Sequence, residues 1–151
     1  GYTLQAEWGY LNQGAQVKAV GRKTVHISQL VPSSLENLPP PEQPLRLAYH
    51  YPCHLKLQAD PDCSVDMLAR LPGVTVTPLK THCCGMVGSW GMKADNFDLS
   101  REIGSDLIRQ LNASDADYGV TDCPTCRLQM EHFSRLPIRH PVELLANCLP
   151  I

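Results

Sequence analysis

This chain of 151 residues is poor in aromatics: it has two Phe and two Trp, and aromatic residues make up 6% of it. That leaves few stacking platforms for bases. A formal net charge of -2 with no basic stripe removes the electrostatic footprint of a nucleic-acid binder. Long apolar runs are missing too, and no stretch approaches the length of a membrane span. Residues 1–10 carry no basic start followed by an apolar run, so no secretory leader is read there. Without a secretory signal, an odd count of seven cysteines argues against a disulfide framework and for metal or redox chemistry in a reducing compartment. The expected location is the cytosol.

What the chain does have is cysteine in three places, each behind an aliphatic or β-branched run. Leu45–His50 leads to Cys53, Val74–Leu79 to the adjacent pair Cys83-Cys84, and Tyr118–Thr121 to Cys123 and Cys126. Helical patterns separate these runs: one near Ser64–Arg70, carrying Val65, Leu68 and Leu71, and a longer one over Asn96–Asn112. In the longer one Leu99, Ile103, Leu107 and Leu111 recur every four residues. A helix starting at Cys123-Pro124, a short strand 137–139 and a closing helix 141–148 complete the alternation. The expected fold is α/β: a three-layer sandwich with about four parallel strands, the cysteine loops together on the carboxyl edge of the sheet, where ligands bind. Before it, 1–31 reads as helical pieces and 32–44, with Pro32, Pro39, Pro40, Pro41 and Pro44, as an extended, poorly packed linker; 45–151 is the compact domain.

Cys123-Pro124-Thr125-Cys126 puts two thiols on a first helical turn, where the helix terminus favours thiolates. Alone it fits a metal site or a dithiol–disulfide switch. Cys83-Cys84 is more specific. Neighbouring side chains diverge, so they suit a centre with several irons better than one mononuclear metal; the alternatives are a vicinal disulfide or two buried thiols. Gly85, Gly88 and Gly91 would let the backbone pass close to an inorganic cluster. Cys53 reads as a fifth ligand or as a core cysteine. Cys63 and Cys148 are expected not to bind metal. His50, His54, His82 and His140 fall near the same edge as hydrogen-bonding neighbours. Asp122 reads as a loop cap, Asp95 and Asp98 as caps of the long helix. Trp90 reads as a shield for a cofactor, a partner contact or simple loop packing.

Four segments together resemble the cysteine-rich "CCG" domain: Tyr49-His50-Tyr51-Pro52-Cys53-His54, Cys83-Cys84-Gly85-Met86-Val87-Gly88-Ser89-Trp90-Gly91, Val120-Thr121-Asp122-Cys123-Pro124-Thr125-Cys126 and His140-Pro141-Val142-Glu143-Leu144-Leu145. Such domains occur in heterodisulfide reductases and in iron–sulfur subunits of systems that oxidise glycolate, lactate or glycerol 3-phosphate. The pattern is most similar to the carboxyl-terminal part of the iron–sulfur subunits of anaerobic glycerol-3-phosphate dehydrogenases. The resemblance is dense over 45–149 and loose over 1–31, which is similar to the tail of a preceding copy. It implies an oxidoreductase component: an electron-transfer module in which Cys53, Cys83, Cys84, Cys123 and Cys126 hold a non-cubane [4Fe-4S] cluster. Implied partners are a flavin-containing dehydrogenase subunit and a quinone or membrane-anchor partner, on the inner face of the cell membrane. The alternatives are a structural zinc domain that scaffolds such a complex, or disulfide reduction of the heterodisulfide reductase kind.

Overall fold

The computed structural model describes residues 1–31 and 34–148. Pro32 of the expected linker, and 149–151 of the expected compact domain, lie outside the described residues. Four strands form one parallel sheet: β1 (Leu45–Tyr49), β2 (Val74–Pro78), β3 (Tyr118–Val120) and β4 (Ile138–Arg139), in the order β2-β1-β3-β4. Leu47 pairs with Val76 on one side and Tyr118 on the other; Gly119 pairs with Ile138. β1 is thus central, and alternation sends its side chains to opposite cores.

Leu47 and Tyr49 join Val120, Leu55, Met67, Leu68, Leu71, Leu144 and Leu145 on one face. The helices there are α3 (Cys53–Lys56), α4 (Cys63–Ala69) and α7 (Pro141–Asn147). Ala48 joins Leu107, Leu111, Met130 and Ile138 on the other, with α5 (Ala94–Ala113) and α6 (Pro124–Phe133). The result is the three-layer α/β arrangement, with all cysteine-bearing strand-to-helix loops on the carboxyl edge. The amino-terminal part is helical in pieces: a π-helical turn Thr3–Glu7, α1 (Trp8–Leu11), α2 (Ala15–Lys23) and a 3-10 turn Ile27–Leu30. No helix among the described residues is long and apolar enough to cross a membrane.

Three local expectations are corrected. The described part of the linker is not poorly packed: Leu35, in a 3-10 turn Leu35–Asn37, is buried in the core, and Leu38 packs beside it. Prolines restrict φ, and that does not stop an intervening leucine from filling a core site. Asp95 and Asp98 do not cap α5. Its N-cap is Lys93, with no side-chain cap bond, and Asp98 instead faces Arg101 at 3.5 Å. The buried stripe of α5 is Ser100, Gly104, Leu107 and Leu111, while Leu99 and Ile103 stay exposed. A strict four-residue repeat drifts by about 40° per step on a helix of 3.6 residues per turn, so Leu99 lies roughly 120° from Leu111. The set 100, 104, 107, 111 keeps to one face, and its two small members mark where the helix meets a loop backbone.

Candidate metal centre

That loop is the Cys-Cys-Gly segment. Gly85 has φ +93°, and a Cβ there would come 2.0 Å from the Ser100 carbonyl oxygen; a Cβ at Gly104 would come 2.4 Å from the Cys84 carbonyl oxygen. Loop and helix therefore touch through bare backbone on both sides, which fixes where Cys84 points. The loop is closed by Gly91 N–H donating to the Met86 carbonyl at 2.9 Å. Lys56 of α3 ties it to the Cys53 loop, donating to the carbonyls of Thr81 at 2.9 Å and His82 at 3.2 Å. Val87, a β-branched residue, is held at φ +46° on the rim, a conformation that L side chains rarely adopt.

Cys53, Cys83, Cys84, Cys123 and Cys126 all line one cavity of ≈ 640 Å³. Their thiols interact in two groups along the chain: Cys53 with Cys83, and Cys126 with both Cys84 and Cys123. Cys84 and Cys126 are buried, Cys83 and Cys123 half-buried, Cys53 exposed at the mouth. Electrostatics differ along the chain. Hydrogen bonding to Cys126 holds the Cys84 thiol down to about 4 against the opposing effect of burial, with His50 helping. The same partner holds Cys123 at about 5. Cys126 is driven the other way, up, by its hydrogen bonds to Cys123 and Cys84 and by burial. The helix terminus was expected to favour thiolates at both members of the Cys-x-x-Cys pair. Cys123 moves in that direction and Cys126 in the opposite one, because Cys126 is hydrogen-bonded between Cys123 and Cys84. Burial raises Cys83.

All seven cysteines are free, so neither the adjacent pair nor the Cys-x-x-Cys pair is a disulfide. Cys63 is buried at the start of α4 and its thiol is pushed up to about 11 by desolvation; Cys148 is likewise raised by burial. Neither lines the cavity. Of the histidines, His54 lies on the cavity wall, its ring tilted against that of Tyr2 at 5.4 Å between centroids and 3.9 Å from Glu7. His82 is exposed. His140 caps α7, its Nδ1 accepting from Val142 N–H at 3.2 Å. His50 is fully buried beside the sulfurs: a ring nitrogen of His50 and the Sγ atoms of Cys84 and Cys126 lie within 4.8 Å of one another.

Asp122 is more than a loop cap. Its carboxylate, with 4% of the side chain exposed, accepts from the Tyr49 hydroxyl and from Ser64 Oγ at 2.7 Å, and lies 3.6 Å from His26 Nε2. This buried knot fastens the Cys123 loop to α4 and to the amino-terminal segment. His26 and Tyr2, both on the cavity wall, carry no sequence signal for that role, because nothing local brings residues 1–31 to the carboxyl edge of the sheet. Trp90 is half-buried in a 3-10 turn away from the cavity wall, its carbonyl accepting from Asn96 at 3.0 Å.

Chemically, five sulfurs and one imidazole make a soft donor set, suited to zinc or an iron–sulfur centre and poorly suited to magnesium or calcium. A family model described as the cysteine-rich domain, CCG, matches residues 47–131. The chain belongs to this family. It is 40% identical over 114 residues to one of the subunits of anaerobic glycerol-3-phosphate dehydrogenase of Escherichia coli (strain K12), covering 76% of this chain and 29% of that one. It is 29% identical over 86 residues to an uncharacterized iron-sulfur protein of Methanocaldococcus jannaschii, covering 54% of this chain and 17% of the relative. It is 31% identical over 87 residues to one of the subunits of dihydromethanophenazine:CoB--CoM heterodisulfide reductase of Methanosarcina mazei, covering 54% and 21%. The chain thus spans less than a third of the length of each of these relatives. No solved structure is significantly similar.

Proposed function

We propose that this chain is an iron–sulfur electron-transfer module of a flavin-linked dehydrogenase complex, with Cys53, Cys83, Cys84, Cys123 and Cys126 as ligands of a non-cubane [4Fe-4S] cluster. One observation carries the reading: five cysteines from three separate strand-to-helix loops line a single cavity. Parallel topology brings the three loops to one edge of the sheet, and the five sulfurs that line the cavity there exceed what a closed tetrahedral zinc site takes. The cluster would supply a one-electron donor and acceptor. The protein holds it through the five thiolates, keeps water from Cys84 and Cys126 by burying both, and sets the loop position through the Gly85–Gly104 contact.

The names of the relatives favour an oxidoreductase component with iron–sulfur chemistry. The proposed donor is a flavin subunit that oxidises glycerol 3-phosphate or a 2-hydroxy acid, and the proposed acceptor is quinone, at the cytoplasmic face of a membrane. A second reading, a zinc-stabilised scaffold domain, draws on the close grouping of His50, Cys84 and Cys126. Analysis of anaerobically purified protein for iron, acid-labile sulfide and zinc separates the two. About four iron and four sulfide per chain is the expected outcome. About one zinc with no iron, persisting after anaerobic reconstitution, overturns it.

A further inference from the structure

His50 follows the last residue of β1 and is 0% exposed. Its backbone N–H donates to the Val120 carbonyl at 2.8 Å, so the residue is held at the junction of β1 and β3. Nδ1 lies 3.0 Å from the Thr81 hydroxyl, itself buried. Nε2 has no hydrogen-bond partner; among the described residues, it and Thr121 Oγ1 are the buried side-chain polar atoms in that state. Leaving such an atom unpaired in a buried site is unfavourable, and the sulfurs of Cys84 and Cys126 lie within 4.8 Å of a ring nitrogen.

Two tautomers are available. With the proton on Nδ1, donated to Thr81, Nε2 would turn a lone pair toward the electron-rich sulfurs of Cys84 and Cys126. With Thr81 Oγ1 donating instead, Nδ1 accepts and Nε2 carries the hydrogen. The Thr81 hydroxyl rotor can take that orientation, and the Thr81 backbone carbonyl is separately engaged by Lys56. Five cysteines already line the cavity, and Cys83 and Cys123 have donors of their own in Gly85 N–H at 3.3 Å and the Thr125 hydroxyl at 3.1 Å. A neutral N–H against thiolate sulfur is the arrangement that both satisfies the imidazole and stabilises the negative charge.

We propose that His50, its tautomer set by Thr81, donates its Nε2–H to the sulfurs at Cys84 and Cys126 and thereby raises the reduction potential of the centre they hold. This rests on the cluster assignment above. The reduced form carries one more negative charge than the oxidised form, so a hydrogen bond to sulfur favours it more. His50 acts here as a tuning residue rather than a ligand.

The test begins with iron and sulfide content of the wild-type protein, which judges the cluster assignment by itself. Equilibrium redox titration with visible and electron paramagnetic resonance spectra then follows on His50→Phe, His50→Gln and Thr81→Val, each with its iron content and thermal midpoint. The expected result is full iron in Thr81→Val and His50→Phe with a lower potential in both. In His50→Phe the reduction equilibrium falls about tenfold, ~59 mV for one electron. His50→Gln, which keeps an N–H donor, recovers part of the shift. Unchanged potential in both donor-removing variants with full iron overturns the proposal. So does loss of iron in folded His50→Phe and His50→Gln alike, which would make His50 a ligand. Should His50→Phe fail to fold, Thr81→Val decides: it leaves the imidazole in place and removes only the hydroxyl that selects the tautomer.

Discussion

The two faces of the sheet are built from different material. On the α4/α7 side the core is aliphatic: Leu47, Leu55, Met67, Leu68, Leu71, Leu144 and Leu145 close over one another. On the α5/α6 side the core runs from Leu107, Leu111 and Ile138 into Met86, Met130, Cys84 and Cys126. There α5 meets the sheet-edge loop through Ser100 and Gly104 with no large side chain between them. One face gains its stability from area removed from water. The other gives up part of that area to bring backbone and sulfur close together. The cysteine loops are therefore held by shape on one side of the sheet and by bulk on the other, so the two contributions should come apart under mutation.

The largest effect belongs to the aliphatic face. Leu68→Ala empties a fully buried site and should cost about 2–5 kcal/mol in chemical denaturation. Metal content per folded chain should stay unchanged; a matching loss of metal would show that the faces are not separable. Gly104→Ala should do the reverse. Its Cβ would meet the Cys84 carbonyl at 2.4 Å, so the loop must shift, at about 1–3 kcal/mol. Iron loading should fall well beyond what that destabilisation explains, measured as iron per folded chain. Asp122→Asn keeps the volume but weakens the acceptor for Tyr49 and Ser64. It should cost about 1–2 kcal/mol, with faster proteolysis of residues 1–31 as the sign that the amino-terminal segment has loosened. The smallest effect is expected at the two cysteines outside the cavity. Cys148→Ser should change stability by under about 1 kcal/mol and Cys63→Ser somewhat more, both with full iron. Cys126→Ser is the matching control and should lose the iron.

Much of the architecture was legible because it rests on local pattern. The four strand runs, the helices between them and Pro124 at the first turn of α6 are each written in a few neighbouring residues. The convergence of the cysteine loops followed from parallel topology alone, since consecutive strand-to-helix turns must share an edge. Other features were not legible. The leucine repeat of α5 pointed to the wrong face at its start, because a small residue such as Gly104 gives no hydrophobic signal even where it is most tightly packed. Leu35 was masked by its prolines. His26 and Tyr2 lie far along the chain from the cysteines whose cavity they line.

The chemical type of the site is written in the residues themselves: sulfur-rich, multi-thiol, spread over three loops, with glycines where a backbone must pass close. Those are properties of residue identity and of spacing along strands and helices. The folded arrangement adds what residue identity cannot: the thiols of Cys84 and Cys123 are pulled down while that of Cys126 is pushed up, His50 is buried with an unpartnered Nε2, and residues of the segment 1–31 line one side of the cavity. Protonation, orphaned hydrogen-bond groups and wall contacts depend on distances between groups that are remote in the chain, and folding alone sets those distances.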